Sequence, residues 1–305
     1  MKKDDIPDGK KGQGVLKRGP SGGSGFPRLM VFTDLDGTLL DHDTYGWEAA
    51  APALEQLRAK RVPVVLISSK TRAEMAPLRE ALRLEDPFVS ENGGGIFLPK
   101  AIFPEKPEGA APELWEADDF WEIPLGVPYK HLVSALREIR DQLGIAIRGF
   151  SDMGIEEVSR CTGLATDEAR LARLRDYDEP FVVAGNTAFD LTVLSKAAAK
   201  MGLKVTQGGR FFHLLGHNGK GEAMSRILAI YHTRYGHIRS IALGDSENDF
   251  SMLKRADVPV LVRSKREVSS LKADIPKLTI TEAMGPSGWN SAVLSILHPI
   301  EEVTD

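Results

Sequence analysis

At 305 residues, with 42% hydrophobic and 27% charged side chains, the chain holds enough apolar material for one large or two modest globular domains. Its net charge of −4 argues against nucleic acid as a main partner, and no apolar run approaches the roughly 18–20 residues that a membrane span needs. The single cysteine, Cys161, can form no internal disulfide, which fits a reducing, cytoplasmic setting.

Residues 1–27 are rich in Gly, Ser, Lys and Asp and start basic without an apolar stretch. They read as a disordered tail rather than a signal peptide. "RLMVFTD" then runs apolar into two aspartates, and "WEAAAPALEQLRAK" follows with Ala50, Leu54 and Leu57 at helical spacing. "VPVVLISS" is a second short, β-branched strand, and "TRAEMAPLREALRL" a second helix with Met75, Leu78 and Leu82 on one face. "PFVSENGGGIFLP" predicts a strand, a glycine turn and a returning strand. Residues 104–128, rich in Pro, Glu and Trp, read as a linker, with "EADDFWE" as a solvated acidic loop.

Beyond it "YKHLVSALREIRDQLG" is helical, "IAIRGF" and "PFVVA" are strands, and two short helices between them are expected to start at Ser151 and Thr166 as caps. "NTAFDLTVLSKAAAKMG" and "LKVTQGGRFFHLLG" add a helix and a strand or hairpin. The outer pattern resumes with "KGEAMSRILAIYHTRYG" as helix, "SIALGDS" and "VPVLVRS" as strands and "GWNSAVLSIL" as a closing helix. The expected fold is α/β: a doubly wound, Rossmann-like parallel-sheet core from 28–104 and 214–305, with an α/β cap, 105–213, inserted.

The chemistry gathers where strands end. "DLDGT" places Asp34 and Asp36 two apart after an apolar strand, so alternation points both carboxylates to one side. Like charges that close need a cation between them or a shared proton, and a divalent cation with hard oxygen ligands suits them, although Asp-Gly after a strand is also an ordinary turn. In doubly wound sheets ligands lie at the carboxyl ends of the strands, where Asp34, Asp36, Ser68 and Asn92 all fall. "GDSEND" ends another apolar strand with Asp245 and Asp249, and two such clusters could converge on one cation. His213 and His217 lack metal-ligand spacing and read as structural.

DLDGT, a strand ending in Ser68, the lysine of "GKGEA" and GDSEND, in that order, resemble the haloacid-dehalogenase-like phosphohydrolases over essentially all of residues 28–300. The resemblance implies Asp34 as nucleophile and Asp36 as general acid and base. It implies Ser68 and Lys220 as holders of the phosphoryl oxygens. It further implies a Mg²⁺ bound by Asp34, the backbone carbonyl of Asp36 and Asp245, with Asp249 in support. A carboxylate at 36 favours a phosphatase over the family's ATPases or dehalogenases.

"ISSKTR", in place of the Thr-Gly-Arg common among related sugar phosphatases, is similar to the mannosyl-3-phosphoglycerate phosphatase subgroup, as are "ENGGGIF", "GFSDMGIEEVSRCTGL", "RDYDEPF" and "GGRFFHLLG". That likeness implies a small phosphosugar substrate and offers Glu91, Asn92, Gly93, Gly94, Arg175 and Arg210 as its contacts. Arginines would grip the glycerate carboxylate, and the glycines would let backbone approach the ligand. Arg175 reads equally well as a surface ion pair with Asp176 or Asp178. The competing readings are a phosphatase for the glucosyl analogue or for sucrose- or trehalose-phosphate, a phosphomutase, and a non-catalytic binding protein on the same fold.

Overall fold

The computed structural model describes residues 28–108, 114–183, 190–207, 211–265 and 275–298. The expected tail, 1–27, lies outside them, as does Arg210. In chain order the elements are β1 (Leu29–Thr33), α1 (Ala51–Ala59), β2 (Val64–Ile67), α2 (Arg72–Ala81), β3 (Phe88–Ser90), β4 (Gly95–Pro99), β5 (Trp115–Ala117) and β6 (Phe120–Pro124). There follow α3 (Tyr129–Leu143), β7 (Ile147–Gly149), α4 (Ile155–Thr162), α5 (Thr166–Ala172), β8 (Asp178–Val183), α6 (Leu191–Lys200), β9 (Lys204–Gln207) and β10 (Phe212–Leu215). The chain closes with α7 (Lys220–Tyr235), β11 (Arg239–Gly244), α8 (Phe250–Leu253), β12 (Val258–Arg263), β13 (Thr279–Met284) and α9 (Gly285–Leu297).

Among the described residues a 9-stranded sheet runs β13-β12-β11-β1-β2-β3-β4-β6-β5. Strands β13 to β3 are parallel, and β4, β6 and β5 add antiparallel. Alternation splits the strand residues between two apolar layers. Leu29, Val31, Val64, Leu66, Ile241 and Leu243 face α1 and α9. Met30, Phe32, Val65, Ile67 and Ala242 face α7 and α8. The sheet is therefore covered on both faces, as expected of a doubly wound core, and β1 lies inside it between β11 and β2. Among the described residues no helix is long and apolar enough to cross a membrane.

The second sheet, β7-β8-β10-β9, is antiparallel throughout. Together with α3 and α6 it closes around Leu132, Leu136, Ile139, Phe181, Leu194 and Leu214.

Several expectations are corrected. The stretch 104–128 is not a linker: β5 and β6 are strands of the large sheet, and "EADDFWE" is their hairpin, turning at Asp118 and Asp119. Phe120 packs on one apolar layer and Trp121 and Ile123 on the other, while Trp121 Nε1 donates to the Phe103 carbonyl at 2.8 Å. Sheet membership thus moves the start of the inserted unit from 105 to beyond Pro124, and its end from 213 to Leu215. The two short helices begin at Ile155 and Thr166, after Gly154 and Ala165, not with Ser151 and Thr166 as caps. Ser151 is spent on Glu179, which accepts its N–H at 3.0 Å and its hydroxyl at 2.6 Å. The Ala165 N–H is covered instead by the Glu168 carboxylate.

Candidate active site

Three adjacent parallel strands deliver the site. Asp34 follows β1, Ser68 follows β2 and Asp245 follows β11, all at one edge of the sheet. The Asp34 N–H donates to the Leu243 carbonyl at 2.9 Å, carrying the β1–β11 ladder one step past the strand. The Thr33 hydroxyl donates to the Asp34 carbonyl at 2.8 Å and accepts from the buried Trp289 indole at 2.9 Å, so α9 fixes the strand end. The turn at 35–40, closed by Leu40 N–H to Leu35 O at 2.8 Å, brings Asp36 back beside it.

Lys220, the first residue of α7, reaches under this edge. Its buried ammonium donates to Asp34 Oδ1 and to Asp249 Oδ1, each at 2.6 Å. The second oxygen of Asp249 accepts the backbone N–H groups of Asp245 and Ser246, both at 3.1 Å. With both oxygens engaged, Asp249 holds the lysine and the Asp245 backbone rather than facing the cleft. Asp34, Asp245 and Asp249 each bring a carboxylate oxygen within 4.8 Å of the others, and all three are buried.

Burial pushes Asp34 well above the usual carboxylate range; Lys220 opposes this, while Asp249 and Asp245 add to it. Burial also presses on Lys220, but Asp249 and Asp34 outweigh it and hold the ammonium above its ordinary value. Three carboxylates around one ammonium leave a negative excess. Their hard oxygens are the donor set a divalent cation such as Mg²⁺ prefers, and the chain's own residues fit one here.

Asp34, Asp36, Asn92 and Asp245 line a cleft of about 260 Å³ between the sheet edge and the inserted unit. Ser68 lies just behind, buried, its Oγ accepting the Lys70 N–H at 3.2 Å, and Ser69 and Lys70 line the cleft instead. The remaining expected contacts behave differently. Glu91 is fully buried, and its two oxygens accept the N–H groups of Asp176 and Tyr177, each at 2.9 Å. Burial, only partly offset by Arg175, pushes its carboxyl up to about 8. It clasps the inserted unit and does not face the cleft.

The glycines are each pressed against another part of the chain. Gly93, at φ +96°, lies so close to Gly219 that a Cβ there would stand 2.5 Å from its carbonyl group, and one on Gly94 would stand 2.3 Å from the Tyr177 Cβ. Arg175 lines the cleft but its guanidinium is committed. Nε donates to the Ala172 carbonyl at 2.8 Å and Nη1 to the Ser69 carbonyl at 2.9 Å, with Asp178 and Glu74 at 3.6 and 3.8 Å. It is a buried bridge to the sheet edge, not a surface pair.

Sequence reasoning passed over Lys70 and the aromatic wall of the cleft, and read His213 as structural only. Lys70 pairs with Asp36 Oδ1 at 3.1 Å and sits 5.0 Å over the Tyr45 ring. His213 lines the far wall with its Nδ1 2.7 Å from Asp178, so its structural role and its place in the cleft coincide, whereas His217 is exposed. Phe150 and Phe211, in edge contact with ring centroids 5.2 Å apart, form an apolar part of the same wall. The available signal for Lys70 was a cation two residues beyond a strand-end serine; Phe150, Phe211 and His213 lay within stretches the resemblance covers, but nothing local set them in the cleft.

Residues 31–106 and 204–280 match the sequence profile of the family described as haloacid dehalogenase-like hydrolase. A Methanococcoides burtonii protein named glucosyl-3-phosphoglycerate/mannosyl-3-phosphoglycerate phosphatase is 39% identical over 268 residues, 88% of this chain and 97% of its own length. A Persephonella marina protein of the same name is 36% identical over 276 residues, 90% of this chain and 98% of its own. Among solved structures, a Thermoplasma acidophilum protein superposes with a TM-score of 0.60 at 18% identity, over 90% of this chain and 98% of that one. A phosphatase of the haloalkanoate (HAD) enzyme superfamily from Bacteroides thetaiotaomicron gives 0.60 at 17% identity, over 96% and 100%. At those identities the structures speak for the fold.

Proposed function

The chain belongs to the haloacid dehalogenase-like hydrolases, in the family of the glucosyl-3-phosphoglycerate/mannosyl-3-phosphoglycerate phosphatases, and from that premise we propose that it removes the phosphate of a mannosyl- or glucosyl-3-phosphoglycerate. It is a phosphoric monoester hydrolase; the glycosylglycerate product and the route to it are the proposal. The observation that carries it is Lys220 locking Asp34 beside Asp245 at the floor of a cleft that the inserted unit closes.

Asp34 attacks phosphorus, forming an aspartyl-phosphate as the bond from phosphorus to the glycerate C3 oxygen breaks. Asp36, on the cleft wall, gives the leaving oxygen its proton and then takes one from the water that hydrolyses the acyl-phosphate, which frees phosphate and restores Asp34. Lys220 fixes the Asp34 rotamer and, with the Ser68 hydroxyl, meets the phosphoryl oxygens. Asp34, Asp245 and the Asp36 carbonyl would hold Mg²⁺, which when bound neutralises charge on the phosphoryl group. The Glu91 and Arg175 contacts position the inserted unit over the leaving group, which keeps bulk water out.

Phosphate release across a panel of phosphosugars and glycosyl-phosphoglycerates, with and without EDTA, tests the proposal. Mannosyl- and glucosyl-3-phosphoglycerate should head the panel, EDTA should silence the enzyme and Mg²⁺ restore it, and Asp34→Asn should be inactive but folded. Substantial turnover by Asp34→Asn, or a preference for sucrose- or trehalose-phosphate, would sink it.

A further inference from the structure

Lys70 is placed to read the leaving group. A glycosyl-3-phosphoglycerate brings a phosphate dianion and a separate carboxylate. Lys220 and a divalent cation answer the first; the second needs a cation of its own, or its desolvation in the cleft is uncompensated. Among the described residues lining the cleft, the permanent cations are Lys70 and Arg175. Arg175 is ruled out by its commitments to the Ala172 and Ser69 carbonyls and to Asp178 and Glu74.

Lys70 is different. Its ammonium has three N–H donors and faces the cleft, where Asp36 is its ion-pair partner at 3.1 Å and the Glu74 carboxylate also attracts it. Asp36 is the residue that must reach the leaving oxygen. In the substrate that oxygen sits on C3 of the glycerate, the sugar on C2, and C1 is the carboxylate. A cation bound to Asp36 is therefore held next to the short carbon chain that ends in the carboxylate. The Tyr45 ring beneath the ammonium, 5.0 Å from it, keeps the side chain on that wall.

We infer that Lys70 is the specificity residue of the site: its ammonium receives the carboxylate of the leaving group, so that phosphate esters of hydroxy acids are preferred over those of uncharged alcohols. The inference rests on the glycosyl-3-phosphoglycerate reading for the identity of the acid, but its chemistry applies to any ester with a carboxylate so placed.

The test compares kcat/KM for glucosyl-3-phosphoglycerate with that for glucosylglycerol 3-phosphate, in which a hydroxymethyl group replaces the carboxylate, in the Mg²⁺-loaded wild type, K70M, K70Q and K70R. The wild type should prefer the carboxylate ester at least tenfold. K70M and K70Q should cut that ratio roughly 10–150-fold, the worth of one charge-assisted hydrogen bond, with the loss falling mainly on KM, and K70R should retain most of the preference. Thermal melts identify any variant that has not folded, and the ratio is then read from the other neutral substitution. A wild type without preference, or equal losses on both esters, would overturn the inference, the second meaning that Lys70 acts only by positioning Asp36. Should the wild type hydrolyse neither glycosylated ester, the substrate proposal falls instead. The pair 3-phosphoglycerate and glycerol 3-phosphate then tests Lys70 by the same ratio.

Discussion

Glu91→Gln should make the stability of this protein less dependent on pH. Glu91 is buried without exposure, and its carboxyl is pushed up to about 8 from an ordinary 4.5. Between those values the folded chain keeps a proton that the unfolded chain has released. Stability is thus full below about pH 4.5 and is lost as pH rises through about 8, with a slope of at most about 1.4 kcal/mol per pH unit. Between pH 5 and 7.5 that amounts to about 3 kcal/mol in the wild type, and to none in a glutamine that does not titrate. At the acid end the variant should be the weaker by about 1–3 kcal/mol. Its amide nitrogen must face one of the N–H groups of Asp176 and Tyr177 that Glu91 now accepts. Urea unfolding followed by circular dichroism at several pH values between 5 and 8.5 gives the two curves, and their difference cancels every other titrating group. The difference should close, or change sign, as pH rises. A difference flat across that range would refute the argument that desolvation governs Glu91.

Arg175→Ala should lose both stability and turnover, on glycosylated substrates and on p-nitrophenyl phosphate alike, because it removes the bridge to Ser69 and the buried cation facing Asp178 and Glu74, leaving Asp178 to His213 alone. A loss of about 3–5 kcal/mol in urea unfolding is expected, and a selective loss on the glycosylated ester alone would return Arg175 to the role of substrate contact. Gly93→Ala forces a Cβ to 2.5 Å from the Gly219 carbonyl at a φ of +96°. It should cost about 1–3 kcal/mol in thermal unfolding and lower kcat on p-nitrophenyl phosphate, since the displaced backbone carries Lys220 off Asp34. A variant with wild-type kcat would show that the start of α7 tolerates the shift.

The core was legible because its determinants are local. Each buried parallel strand is a short apolar run whose alternate residues feed both layers, as Leu29 and Val31 against Met30 and Phe32 do, and the helices between them carry one apolar face. What escaped was pattern under disguise. The β5–β6 hairpin hides in an acidic run, since Glu116, Asp118, Asp119 and Glu122 dilute the signal of Phe120, Trp121 and Ile123. The strand β13, "TITEAM", is largely exposed at the sheet edge and so has little apolar signature. The boundary of the inserted unit moved for the same reason: which sheet a strand joins is decided by its partners, not by its own sequence.

The site divides along the same line. Asp34, Asp36, Asp245 and Asp249 could be placed from sequence because each sits at or just past the end of a strand whose position the pattern dictates, and Lys220 because the family resemblance marks it. The contacts of the residues expected to meet the substrate could not. Glu91 and the glycines after it follow a strand end, where ligands are met in such folds, yet they meet Asp176, Tyr177 and Gly219. A glycine that admits a ligand and one that admits another piece of backbone look identical in one dimension. Lys70 is the converse case, a residue with an ordinary local context that the fold sets beside Asp36. The proposed chemistry is thus carried by residues fixed by their own element. The proposed selectivity falls to those, like Lys70, whose place in the cleft appears only where the inserted unit meets the sheet edge. Substitutions in the first group should therefore abolish hydrolysis of every ester, and those in the second should reorder the esters.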